Sequence, residues 1–199
     1  MRLATAEINL TALEHNLAQV KRFAPNSKVM AVLKANAYGH GLVTIAQHLN
    51  EADAFAVARI DEALALRAGG LTKPIVLLEG FFHQEDLPIL LANNFQTIIH
   101  DEIQLKMLES AQLDAPLNCW LKINTGMHRL GIAPEQFDMF YQRLQASPNA
   151  QNKINLMTHF ACADDVKNTK TVQQITLFDN LTQEVDQAHC LSNSAGIIA

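Results

Sequence analysis

Aromatic residues are scarce in this chain of 199 residues, at 6%, and charged residues reach only 18%. Cysteine is sparse too: Cys119, Cys162 and Cys190 are far apart and odd in number. That argues against a disulfide framework or a zinc cluster and suits a reducing, cytoplasmic compartment, with the three acting as small apolar residues. No apolar run approaches the roughly 18 residues that a membrane span needs. The opening Met1-Arg2-Leu3-Ala4-Thr5-Ala6-Glu7 lacks the apolar stretch of a secretory signal. Positive charge is in deficit, with 15 Lys+Arg against 20 Asp+Glu and a formal net charge of −5. A protein that tracks nucleic-acid phosphates usually carries a basic patch instead. Internal repeats, low-complexity tracts and charge runs are also missing. What is abundant is apolar material, 49% of the chain, which excludes intrinsic disorder and supplies one sizeable core for one domain spanning residues 1–199.

The apolar residues follow a rhythm: a short β-branched run, a turn, then an amphipathic stretch of roughly 10 to 15 residues. After an opening segment Thr5–Leu10, the pattern predicts a helix over Leu13–Phe23. Strands are predicted at Val29–Leu33, Ala54–Ala58, Ile75–Leu78, Thr97–Ile99, Leu117–Ile123, Ile154–Thr158 and Ala188–Leu191. Helices are predicted between them at Leu42–Asn50, Ile60–Ala68, Gln84–Asn93, Glu102–Ala111, Pro134–Ala146 and Thr171–Gln187. Asp61 and Glu62 suit the first turn of one helix, Gly69-Gly70 its end, and Asp101 the cap of another. Alternating strands and helices imply a parallel sheet covered by helices. About seven such strands is one short of an eight-stranded (β/α)8 TIM-type barrel. A doubly wound open sheet is the alternative, but its Gly-rich first turn is absent.

In such folds chemistry collects at the C-terminal ends of the strands. The first predicted strand runs into Lys34-Ala35-Asn36-Ala37-Tyr38-Gly39-His40-Gly41. A lysine held in a partly dry site has its ammonium form disfavoured, leaving an amine able to form a Schiff base. Tyr38 lies four residues on, and Gly39 and Gly41 permit a tight turn. The fifth strand delivers Lys122 and, after a turn of small residues, Arg129, a candidate bidentate grip for a carboxylate or phosphate. The sixth delivers His159, able to titrate or orient another group. Ser192-Asn193-Ser194-Ala195-Gly196 follows the seventh and opens a helix, offering N–H groups and hydroxyls to a phosphate. An amine, an anion grip, a histidine and a phosphate cradle on one barrel face suit pyridoxal 5'-phosphate bound through lysine. No carboxylate/histidine spacing points to a metal site.

Four segments carry a resemblance: Ala31 through Gly41, Lys122 through Gly131, Thr158 through Asp164, and Ser192-Asn193-Ser194-Ala195. In order along the whole chain, they closely resemble bacterial alanine racemase. The resemblance implies a barrel incomplete at its C-terminal end and lacking the family's C-terminal β domain. It implies interconversion of L- and D-alanine in the cytoplasm, supplying D-alanine for peptidoglycan, by a homodimer with pyridoxal 5'-phosphate. Lys34 would hold the cofactor and act as one base, Tyr38 and Ser194, with Asn193 beside it, would serve the phosphate, and Arg129 would reach cofactor and substrate carboxylate. His159 would bond to an arginine facing the pyridine nitrogen, and Lys122 would be the lysine that many members carbamylate. Where the family often has aspartate this chain has Asn124, one negative charge fewer. Neither the second base, a tyrosine from the partner's β-rich domain, nor that arginine has a counterpart here, so the piece alone is expected to be inactive. Two other readings share the barrel: a non-catalytic pyridoxal-phosphate homeostasis protein, and a racemase of broader specificity.

Overall fold

A strand that must pair in parallel with the next needs a crossover, and the amphipathic stretches supply it. In the computed structural model, which describes residues 4–198, seven strands form one sheet in chain order, every neighbouring pair parallel. They are β1 (Met30–Val32), β2 (Ala54–Val57), β3 (Ile75–Leu77), β4 (Phe95–Ile99), β5 (Cys119–Lys122), β6 (Asn155–Met157) and β7 (His189–Cys190). The helices are α1 (Leu10–Phe23), α2 (Lys34–Tyr38), α3 (Leu42–His48), α4 (Ile60–Ala68), α5 (Asp86–Ala92), α6 (Glu102–Ser110), α7 (Phe137–Ala146), α8 (Lys170–Thr182) and α9 (Ser194–Ile198).

The two faces of the sheet carry different cores, as the period of two along a strand requires. Phe55, Ile75, Leu77, Phe95, Ile99, Leu121 and Leu156 face the helices in the main core. Ala56, Val76, Ile98, Trp120 and Met157 form a second cluster on the opposite face, with Met30, Leu78 and Cys190 at its margin. The sheet curls around this second cluster as an incomplete barrel. Trp120 plugs it, its indole N–H donating to Gln96 Oε1 at 2.7 Å. Among the described residues β1 and β7 do not pair with each other, and α1 packs against α9 beside the gap. Phe178 on α8 meets the His189 ring edge-on at 5.3 Å, tying helix to last strand.

The eight-stranded barrel pattern shortened to seven strands is therefore what the chain adopts, and α4 has the predicted bounds. Other boundaries move for local reasons. The first helix starts at Leu10 rather than Leu13, because Asn9 Oδ1 caps it by accepting from Ala12 N–H at 2.9 Å. The third ends at His48 rather than Asn50, where Lys73 Nζ draws the Asn50 and Ala52 carbonyls out of the helix. Strand β4 begins two residues early because Phe95 and Gln96 find partners in Ile75 and Val76. The eighth helix stops at Thr182 rather than Gln187, since the chain needs the intervening residues to descend to β7. Pro134–Gln136 is a separate 3-10 turn ahead of α7. Asp101 caps α6 as expected, its Oδ1 accepting from Gln104 N–H at 2.8 Å. Of the cysteines, Cys119 is buried but Cys162 and Cys190 only partly so, and all three are free thiols.

Candidate active site

Directly after β1 the backbone does something the sequence did not suggest. Ala35, Asn36, Ala37 and Tyr38 have φ of 54°, 55°, 52° and 54°, a complete left-handed helical turn. For L-residues each such position costs roughly 1–2 kcal/mol, so four in a row need support. Asn36 is the hub. Its N–H donates to Glu62 Oε1 at 3.3 Å, its carbonyl accepts from Gly41 N–H at 3.0 Å, and its Oδ1 accepts from Leu42 N–H at 2.9 Å. Glu62 Oε2 at the same time takes the N–H groups of Ala58 and Arg59 at 3.0 and 3.3 Å. The first-turn glutamate of α4 thus does more than favour its own helix; it ties the β1 loop to the β2 loop. Gly39, at φ 86°, closes the turn. Strained backbone held by its surroundings is typical of sites where a side chain must be aimed.

Lys34 opens this turn and is half-buried; Tyr38 ends it with 59% of its surface exposed. The driest lysine is instead Lys122, the last residue of β5, only 6% exposed on the concave face. Burial, reinforced by the nearby cations of Arg129 and Lys34, pulls its pKa down to about 8. Cys190 on β7 and, after it, the Glu79 carboxylate just past β3 oppose this weakly; nothing in the sequence surroundings of Glu79 marked it. His159, half-buried two residues past β6, is pushed below its ordinary value by burial and then by Lys122, Arg129 and Lys34. Lys34, Lys122, Arg129 and His159 therefore share one electrostatic neighbourhood, although they come from three strand ends. Among the described residues none of Lys34, Lys122 and Arg129 forms an ion pair.

Arg129 is exposed on the loop 124–131, whose ends are clipped together. Asn124 N–H donates to the Ile132 carbonyl and Ile132 N–H to that of Lys122, each at 2.9 Å. Inside the loop Asn124 Oδ1 accepts from Gly126 and His128 N–H at 3.2 and 2.9 Å, and its amide nitrogen meets His128 Nδ1 at 3.2 Å. An aspartate could accept the first two bonds but could not donate the third, so Asn124 acts here as the organiser of the loop. Gly131, at φ 128°, admits no side chain: a Cβ would stand 2.6 Å from the Asn124 backbone nitrogen.

The last segment is placed less directly. Ser194 opens α9, and Asn193 Oδ1 caps that helix by accepting from Gly196 N–H at 2.9 Å. The Asn193 oxygen is thereby occupied, leaving its amide N–H groups and the exposed Ser194 hydroxyl. Sequence reasoning also passed over Thr125, Thr158 and Gln174, which are buried beneath the site. For Gln174 a signal existed: it lies on the stripe with Phe178 and Thr182, four residues apart, that α8 buries.

Residues 8–199 match the profile of the family described as alanine racemase, N-terminal domain. The alanine racemase of Vibrio parahaemolyticus is 55% identical over 199 residues, covering 100% of this chain and 56% of its own length. The crystal structure of biosynthetic alanine racemase from Pseudomonas aeruginosa superposes with a TM-score of 0.89 at 39% identity, over 94% of this chain and 52% of that one. Alanine racemase from Acinetobacter baumannii gives 0.89 at 36% identity, over 100% of this chain and 59% of that one. The chain thus spans a little over half the length of these relatives. With its parallel incomplete barrel and its lysine-bearing strand ends, the chain belongs to the alanine racemase family.

Proposed function

We propose that this chain is the cofactor-binding barrel of an enzyme that interconverts L- and D-alanine with pyridoxal 5'-phosphate. The observation that carries the reading is the cation cluster. Three cationic side chains without an ion pair among the described residues, one of them buried, converge from the ends of two strands beside a histidine from a third, and their positive potential calls for an anionic ligand. The donor set fits a phosphorylated aldehyde: Lys34 offers an amine, and Lys122, Arg129 and a largely neutral His159 face the negative charge. Bound to a lysine, pyridoxal phosphate draws electrons from the substrate's Cα and makes its hydrogen acidic.

The remaining work falls to this chain's own groups. Lys34 Nζ takes or returns the proton on one face of Cα, as a general base or acid. Arg129 grips the substrate carboxylate, where its planar guanidinium gives two parallel hydrogen bonds. Trp120, Met157 and Ile98 floor the site and keep water from below. Tyr38, Ser194 and the Asn193 amide serve the phosphate. Lys122 is the candidate for carbamylation: near pH 8 much of it is the neutral amine, which adds to CO2, forming an N–C bond and releasing a proton. The resulting anion would neutralise part of the charge beside Arg129. Racemisation also needs a base on the opposite face, which we assign to a second copy of the full-length protein in a homodimer. Free thiols suit a cytoplasmic setting, where the D-alanine would serve peptidoglycan synthesis.

Lys34→Ala in the full-length protein tests this. It is expected to abolish both the visible absorbance of bound cofactor and racemisation of L-alanine; retention of both would overturn the assignment.

A further inference from the structure

Between the loop that carries Arg129 and the segment that carries His159 lies a buried run of polar side chains. Gln174, with 0% of its surface exposed on α8, donates through Nε2 to the His159 carbonyl at 2.9 Å and to Thr125 Oγ1 at 3.3 Å. Its Oε1 accepts from Ala161 N–H at 2.9 Å. Thr125 Oγ1 and Thr158 Oγ1, both in buried residues, stand 2.7 Å apart, and Thr158 Oγ1 donates to the Ile123 carbonyl at 2.9 Å.

The directions of these bonds are forced, because each hydroxyl owns one hydrogen. A carbonyl only accepts, so the Thr158 hydrogen goes to Ile123. Thr125 must then donate to Thr158, and its own oxygen receives the Gln174 N–H. The run points one way, from Gln174 through Thr125 and Thr158 to Ile123, with each bond polarising the next. A valine at either threonine, or a carboxylate at Gln174, would break it and leave buried groups unpaired.

What the run holds is backbone on both sides of the site. Ile123 lies between Lys122 and the loop-organising Asn124, and Thr125 roots the loop that presents Arg129. His159 and Ala161 are gripped through their own main-chain atoms. We propose that Thr125, Thr158 and Gln174 are positioning residues, which hold Arg129 and His159 in register with Lys122 for the racemisation proposed above. The proposal rests on that reading of the function.

The test compares Thr125→Val, which keeps the shape and loses the hydroxyl, with Thr125→Ser, which keeps the hydroxyl, in the full-length protein. Racemisation of L-alanine is measured alongside hydrogen exchange of the cofactor-free protein. Thr125→Val is expected to lower kcat/KM by about tenfold or more, the scale of small misplacements of substrate-binding groups. It should also speed exchange in segments 123–131 and 158–163, and Thr125→Ser should restore both. Should Thr125→Val not fold, Gln174→Glu, which keeps the acceptor for Ala161 and loses both donors, is expected to give the same pattern. Variants that lose only melting temperature, with kcat and KM unchanged, would overturn the proposal. So would lost activity without faster exchange in those segments, or failure of Thr125→Ser to restore. If the unvaried protein does not racemise alanine, the function falls and the proposal with it; if it does and the variants match it, the proposal falls alone.

Discussion

Replacing Lys122 with methionine should stabilise the cofactor-free protein near neutral pH, although it removes a group placed in the site. The buried ammonium has its pKa lowered from 10.5 to about 8. At about 1.4 kcal/mol per pH unit, that difference corresponds to about 3 kcal/mol of penalty in the folded state, an upper figure. The folded value lies below the unfolded one, so between pH 8 and 10.5 the unfolded chain binds more protons and stability rises with pH. Below pH 8 the penalty is present in full; above 10.5 it is gone. Methionine keeps the length of the stem and packs on the cluster around Trp120 and Met157 without a charge. The assay is urea unfolding followed by the fluorescence of Trp120, the chain's single tryptophan. Lys122→Met should raise the midpoint at pH 7, equivalent to roughly 6–12 °C in melting temperature for a domain of this size, and the advantage should vanish by pH 10.5. A midpoint at pH 7 that is unchanged or lower, or a gap that persists at high pH, would refute the electrostatic account.

Two further outcomes follow from the same neighbourhood. In an NMR titration His159 should protonate below its ordinary 6.5, so that stability linked to it is complete above 6.5 and falls as pH drops through the lowered folded value. Lys122→Met should move that midpoint upward, since Lys122 is the leading charge acting on His159; an unmoved midpoint would separate the two groups. Arg129→Ala should raise KM and lower kcat together, costing about tenfold to a hundredfold in kcat/KM as hydrogen bonds to a carboxylate are lost. Unchanged kinetics would remove Arg129 from the site.

The alternation of apolar strands and amphipathic helices was readable because burial imposes it residue by residue. Phe55, Val57 and Ile75, Leu77 face the helices while Ala56 and Val76 face inward, and no distant contact is needed to read that. Lys34, Lys122, Arg129 and His159 stand out as candidates in the sequence for a similar reason, since each lies at or beyond the end of a recognisable strand. The left-handed turn at 35–38 was not, because what supports it is Glu62, twenty-six residues away from Asn36. Its alanines are ordinary right-handed helix formers, so local propensity points the wrong way. Thr125, Thr158 and Gln174 were likewise hidden. The threonines are unremarkable polar residues in their own segments, Gln174 shows only as part of the stripe that α8 buries, and only packing α8 over the ends of β5 and β6 turns the three into a shared network.

The order of the strands also bears on how the chain assembles as it leaves the ribosome. Because each pairing among the described strands joins neighbours in chain order, none of these pairings waits for a distant segment. The sheet can therefore grow one strand-and-helix unit at a time, with modest loop-closure cost at each addition. Until β5 emerges, the inward faces of the first four strands lack the Trp120 plug, so the nascent sheet has a half-open interior for that interval. The arrival of a single indole, bonded to Gln96 on the preceding strand, then begins to cover the concave core, which Met157 on β6 covers further.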